Sequence, residues 1–224
     1  MKAIIPIGGG EISKTTYEID KYILNLVNKD TKKVLFVPTA SGDNQTYIQN
    51  FKTYYESLGC VVDCLLLSQT NNDNQIRSKI FSSDIIYVGG GNTGRTVRKF
   101  KTNHINEYLK TAYERGIILT GLSAGAMIYF ESGYSDSNRS TNPNNPLSLL
   151  KCFSFIPYCF CPHYNDSERK SFDEFVKNEK LNGLALDDNC ALVFIDDKIQ
   201  GVIKSDNAAR GYYINDKKIE IESV

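Results

Sequence analysis

The chain has 224 residues, of which 41% are hydrophobic and 23% charged, a balance that excludes a disordered polypeptide and suits one domain over residues 1–224 better than two. Its 26 Lys and Arg are matched by 26 Asp and Glu. With no positive excess to displace counterions, the expected partners are small molecules or peptides, not nucleic acid and not an anionic membrane.

Short β-branched runs alternate with longer amphipathic stretches from the first residue onward. Residues 2–7 predict a strand closed by Gly8-Gly9-Gly10, and residues 16–28 a helix. Further strands are predicted at 33–37, 61–67, 84–88 and 117–120, with helices at 45–58, 74–81, 93–101 and 105–115. Strands joined by helices of this length imply parallel crossovers, so the fold class is α/β, a doubly wound and mostly parallel sheet with helices on both faces. A helix from 124 to 130 is followed by residues 132–146, rich in Ser, Asn, Gly and Pro, which read as a long loop. A strand at 156–161 and a helix at 167–177 come next. The tail predicts a meander of strands at 191–195, 199–203, 211–214 and 218–221.

MKAIIPIGGG holds about five apolar residues before its glycines, too few for a signal-peptide core of roughly 7–15. No apolar run approaches the roughly 18 residues that span a bilayer. The six cysteines are therefore expected to be reduced, in a soluble cytoplasmic protein.

Ligands in such sheets bind beyond the carboxyl ends of the strands. There Gly121-Leu122-Ser123-Ala124-Gly125 matches G-x-S-x-G, with an apolar strand before it and a helix start behind it. A serine on that turn projects its hydroxyl into the cleft, which favours Ser123 as a nucleophile over a plain helix cap. It needs a base, and the chain has two histidines. His104 falls between two predicted helices, whereas His163 follows the strand at 156–161 and reaches the ligand-binding edge. Three carboxylates compete to orient the imidazole. Glu131 lies two turns along the predicted helix, Asp166 is placed to cap the next helix, and Asp136 lies in the loop between serine and histidine. Asp136 is the preferred acid.

Gly89-Gly90-Gly91-Asn92 follows a strand and opens a helix. Gly89, Gly91 and Gly94 satisfy the dinucleotide pattern, but no acid ends the next strand to hold a ribose. The turn reads better as backbone N–H donors that form an oxyanion hole with the N–H of Ala124, with Gly89, Gly91 and Asn92 lining the substrate. Cys159-x-Cys161-x-His163 invites a metal reading, yet alternate strand residues lie about 6.6 Å apart and do not converge on one ion.

Together, Val88-Gly89-Gly90-Gly91-Asn92-Thr93, Gly121-Leu122-Ser123-Ala124-Gly125-Ala126 and Pro162-His163-Tyr164 resemble the peptidase E family, which groups aspartyl dipeptidase with cyanophycinase. The resemblance covers nearly the whole chain. It implies a fold similar to class I glutamine amidotransferases, Ser123 as nucleophile, His163 as base, an acid from the loop between them, and an oxyanion hole at Gly90 and Ala124. It implies no metal or organic cofactor and a small peptide as substrate, with a homodimer left open. One departure concerns specificity. Aspartyl dipeptidases carry an Arg-Thr-Thr-Asn-Asp-type stretch after the elbow helix, where this chain has Phe130-Glu131-Ser132-Gly133-Tyr134-Ser135-Asp136-Ser137. Arg139 and Arg169 are candidates to hold a substrate carboxylate, and nothing in the sequence selects between them. The rival reading from another class is a non-catalytic small-molecule binding or interaction protein on the same scaffold. An α/β-hydrolase esterase fits less well, because such enzymes place several strands between nucleophile and histidine.

Overall fold

The computed structural model describes residues 1–70 and 72–224. Strands β1 (Ala3–Ile7), β2 (Lys32–Val37), β3 (Cys60–Cys64), β4 (Ile85–Val88) and β5 (Ile118–Leu122) pair in parallel in the order β1-β5-β4-β2-β3. The crossovers carry helices α1 (Tyr17–Asn25), α2 (Gln45–Ser57), α3 (Asp73–Phe81), α4 (Thr93–Thr102) and α5 (Ile105–Glu114). Side chains alternate along each strand, so each strand supplies both faces. Val34 and Phe36 of β2 pack beneath Ile23 of α1 and Phe51 of α2. Leu35 and Val37 face the other way, toward Ile80, Phe100 and Leu109 of α3, α4 and α5. This is the doubly wound arrangement that the alternation of apolar runs predicts.

The second half departs from its sequence reading. The helix after β5 is a single turn, α6 (Ala124–Met127), and the expected loop begins as a strand, β6 (Phe130–Ser135). It pairs antiparallel with β7 (Ser148–Lys151) and parallel with β8 (Ile156–Cys161). Glu131, Ser132, Gly133 and Ser135 hide this strand, because pairing on both sides, not an apolar pattern, makes it. Phe130 stacks on Phe160 of β8 with ring centroids 4.2 Å apart. The β6–β8 register slips between Phe130 and Ser132. Pro157, which has no N–H for the ladder, lies in that slip.

After α7 (Phe172–Asn178), β9 (Gly183–Leu186) pairs parallel with β8. The expected C-terminal meander then divides between two sheets. The hairpin of β10 (Cys190–Ile195) and β11 (Lys198–Lys204) joins the free edge of β1, antiparallel. In contrast, β12 (Gly211–Ile214) and β13 (Lys218–Glu220) extend the second sheet beyond β9. The two sheets share one apolar core, in which Phe130, Phe160 and Leu184 meet Leu119 and Leu192. α7 covers the outer face of the second sheet through Phe172 and Val176.

One buried charge stands apart from this core. Asp20 of α1 is fully buried and forms no ion pair among the described residues. Tyr55 Oη and Thr16 Oγ1 donate to its carboxylate at 2.7 and 2.8 Å, and Tyr54 Oη at 3.1 Å. Burial outweighs these hydrogen bonds and pushes its pKa up to about 6. The folded protein thus holds this proton more tightly than the unfolded chain does. The stability it contributes is full below the unfolded pKa near 3.8 and is lost as pH rises through about 6. Urea denaturation of the protein and of Asp20→Asn should therefore diverge with pH. On raising the pH from about 4 to about 7, the wild type should lose on the order of 3 kcal/mol relative to the variant. Parallel curves for the two proteins would overturn this reading of Asp20.

Candidate active site

Ser123 alone makes the turn between β5, which ends at Leu122, and α6, which begins at Ala124. Its φ of 53° and ψ of −109° fall in a region that residues with a Cβ rarely adopt. Three backbone hydrogen bonds hold it there. Its N–H donates to the Ile7 carbonyl at 2.9 Å, and its carbonyl accepts from the N–H groups of Ala126 and Met127 at 3.0 and 2.9 Å. Gly125 permits the close approach behind it: a Cβ there would lie 2.0 Å from the Val88 carbonyl oxygen of β4.

The hydroxyl that this turn projects meets an imidazole. Ser123 Oγ is 2.5 Å from His163 Nε2, and His163 Nδ1 is 2.8 Å from Asp188 Oδ1. His163 follows β8, as the sequence predicts, and Asp188 lies in the turn from β9 to β10. Asn165 brackets that aspartate, donating from Nδ2 to Oδ2 at 3.2 Å and accepting its backbone N–H at 2.9 Å. The hydrogen bond from His163 holds the Asp188 carboxyl below its ordinary value, so it is ionised at neutral pH. The first glycine turn makes room for this pair. A Cβ on Gly9 would lie 1.9 Å from Asp188 Oδ1 and 2.3 Å from His163 Nδ1.

The carboxylate beside the imidazole is thus not the expected Asp136. Strand β6 runs on through Ser135 and delivers Asp136 to the start of a 3₁₀ turn at Ser137–Ser140. There its Oδ2 accepts from Arg169 Nη2 at 3.2 Å. Glu131 is exposed on β6, and Asp166 caps a 3₁₀ turn by accepting the Glu168 N–H at 3.1 Å. His104 is exposed between α4 and α5. Asp188 escaped the sequence reading because β9, which positions it, has only four residues. The available signal was the polar run Asp187-Asp188-Asn189 immediately after an apolar segment, another strand end.

The second glycine turn lies against the elbow. A Cβ built on Gly90 would stand 3.8 Å from Ser123 Cβ. The Gly90 N–H, expected to face an oxyanion, donates to Tyr47 Oη at 3.2 Å, a long bond. Gly90, Gly91, Ser123, Ala124 and His163 line one cavity of about 310 Å³. Gly89 and Asn92, expected against substrate, do not line it. The Gly89 N–H donates to the Val37 carbonyl at 3.0 Å, and Asn92 Oδ1 caps α4 by accepting the Arg95 N–H at 2.8 Å. Asn92 Nδ2 also donates to the Ser137 carbonyl at 3.3 Å, tying the 3₁₀ turn to this rim. A cleft of about 420 Å³ lies beside Met1, Asp84 and Arg115 at the opposite strand ends, away from the serine–histidine pair.

Cys159 and Cys161 are buried thiols, and burial pushes Cys159 up to about 11. Among the described residues, no group of three or more His, Cys, Asp or Glu side chains could hold a metal ion. No helix among them is long and apolar enough to cross a membrane.

The chain resembles known proteins along its length. The uncharacterized peptidase YgaJ of Bacillus subtilis is 35% identical over 229 residues, covering 100% of this chain and 96% of that protein. Peptidase E of Haemophilus influenzae is 23% identical over 163 residues, 73% of this chain and 72% of its own. The crystal structure of a peptidase from an acI-B1 actinobacterium shares the fold, with a TM-score of 0.74 at 16% identity over 98% of this chain and 93% of that one. The sequence pattern of Peptidase family S51 matches residues 4–202. With that match, the full-length relative and a Ser–His pair on a strained elbow, the chain belongs to peptidase family S51, the serine hydrolases of the peptidase E type.

Proposed function

We propose that this protein hydrolyses small peptides, in the manner of a dipeptidase, through an acyl-enzyme formed on Ser123. The observation that carries the reading is the 2.5 Å contact between Ser123 Oγ and His163 Nε2. His163 takes the hydroxyl proton as the oxygen attacks the scissile carbonyl carbon. The resulting imidazolium returns that proton to the leaving amine, which departs as the acyl-enzyme forms. Water then repeats the sequence and releases the acid. Asp188 is the orienting carboxylate in this reading: it fixes the tautomer that carries hydrogen on Nδ1 and stabilises the imidazolium without gaining the proton.

The developing oxyanion takes hydrogen bonds from the N–H groups of Ala124 and Gly90. Gly90 shares or exchanges its long bond to Tyr47 to do so. The size of the cavity, about 310 Å³, supports small peptides as substrates, since it lies at the lower end of small-ligand pockets. Asp136 bounds the cavity at the start of the 3₁₀ turn, which is held by Asn92 on one side and by the Arg139–Glu168 ion pair on the other. A non-catalytic binding protein has no need of a serine held in a strained conformation against an imidazole.

Ser123→Ala should lower kcat on a cleavable dipeptide by at least about 10⁴-fold with little change in thermal unfolding, since one small hydroxyl is removed. Survival of activity within tenfold would sink the proposal.

Asp188→Asn should lower kcat by up to about 10⁴-fold, whereas Glu131→Gln and His104→Ala should remain near wild type. If Asp188→Asn hydrolyses peptides at the wild-type rate, the acid has been misassigned, though serine and histidine stand.

Gly9→Ala tests the packing beneath the pair. Its new Cβ has to displace the imidazole or the carboxylate, and a misplacement of about 1 Å costs on the order of 10²-fold in rate. Steady-state kinetics should show that loss in kcat, with the fold retained by circular dichroism.

A further inference from the structure

With Asp188 on the imidazole, Asp136 has no part in proton transfer, yet it stays in the wall of the catalytic cavity. Among the described residues, the ionisable groups lining that cavity are His163, Asp136 and Arg169. The two ends of the Asp136–Arg169 pair differ in exposure. The Arg169 side chain is 8% exposed and that of Asp136 47%. Both terminal nitrogens of Arg169 already have partners, Nη1 donating to the Tyr134 carbonyl at 2.7 Å and Nη2 to Asp136 Oδ2 at 3.2 Å. A substrate carboxylate would have to compete with Asp136 for it. The charge that a ligand meets is therefore the carboxylate.

That carboxylate is held in place before any ligand arrives. The Asp136 carbonyl accepts the Arg139 N–H at 2.8 Å. The neighbouring Ser137 is fixed to the start of α4, where its Oγ accepts the Gly94 N–H at 3.0 Å. Arg139 binds Glu168 on the segment that also bears Arg169. A rigid anion beside a nucleophile loses little freedom on binding a cation, which is the condition for a selective contact.

We propose that Asp136 binds the free α-ammonium group of the substrate's first residue, with Arg169 as the residue that positions it, so that the protein removes residues from the amino end of short peptides and disfavours an acidic first residue. This rests on the peptidase reading above. The α-ammonium lies two bonds from the carbonyl carbon that Ser123 attacks, within the span of one small cavity. A lysine ammonium lies four methylenes farther out. A carboxylate side chain on the first residue would enter a cavity whose exposed charge is already negative, and its complement, Arg169, is occupied.

The test compares four dipeptides by LC–MS kinetics: Ala-Leu, N-acetyl-Ala-Leu, Asn-Leu and Asp-Leu. Wild-type kcat/KM should be at least about 10-fold higher for Ala-Leu than for its acetylated form, the range expected of a hydrogen bond to a charged group. Asn-Leu should exceed Asp-Leu by a similar factor. In Asp136→Asn the preference for the free amine should collapse through a raised KM, and Asp136→Glu should restore part of it. Equal hydrolysis of Ala-Leu and N-acetyl-Ala-Leu by the wild type, or preference for Asp-Leu over Asn-Leu, would overturn the proposal. So would an Asp136→Asn variant that loses kcat with KM and free-amine preference intact. A fluorophosphonate probe separates this from the parent reading. Labelling of wild-type Ser123 together with indifference to acetylation refutes the ammonium anchor alone, whereas absence of labelling refutes the peptidase mechanism on which it rests.

Discussion

The backbone conformation of Ser123 is the constraint on which the site depends. A residue with a Cβ persists at φ 53° and ψ −109° only when its surroundings over-determine it, and here they do so from three directions. Ile7 of β1 holds its N–H, the first turn of α6 holds its carbonyl, and the absence of a side chain on Gly125 lets that turn press against β4. β5 lies between β1 and β4, and those two strands supply the contacts that keep the elbow strained.

The second sheet supplies what the elbow cannot. β8 and β9 run parallel and side by side, so His163 and Asp188 leave their strands at the same end and meet through Nδ1 and Oδ1. Gly9, at the end of β1 in the other sheet, clears the space in which they meet. The histidine–aspartate pair is therefore assembled across the contact between the two sheets. Their shared apolar core, with Phe130 and Phe160 against Leu119 and Leu192, fixes one sheet against the other.

Charge is distributed unevenly around this frame. The hydrogen bond from His163 holds the Asp188 carboxyl below its ordinary value, whereas burial under α2, among tyrosine hydroxyls, pushes Asp20 up to about 6. Asp136 is half-exposed and backed by a buried guanidinium. The three carboxylates share one functional group, and their surroundings alone separate a hydrogen-bond partner of an imidazole, a buried acceptor of hydroxyl protons and a half-exposed partner of a guanidinium.

By itself, the sequence determined the parallel crossovers of the first half, the elbow at Ser123 and the choice of His163 over His104. Each is written locally: apolar alternation marks strands, Gly121 and Gly125 flank the serine, and one histidine of two follows a strand. The identity of the carboxylate at the imidazole was not local. Asp136 lies between the serine and the histidine along the chain, but β6 extends through Ser135 by pairing with β7 and β8 and carries it to Arg169. Asp188 arrives instead just beyond β9, whose four residues have no periodicity to read and become a strand only between β8 and β12. The divided tail has the same origin, since four short strands in sequence do not say which sheet edge each will join. Local pattern specifies where a strand can form. Which strand lies beside it, and hence which side chains meet at its end, is decided by hydrogen bonding and burial between segments far apart in the chain.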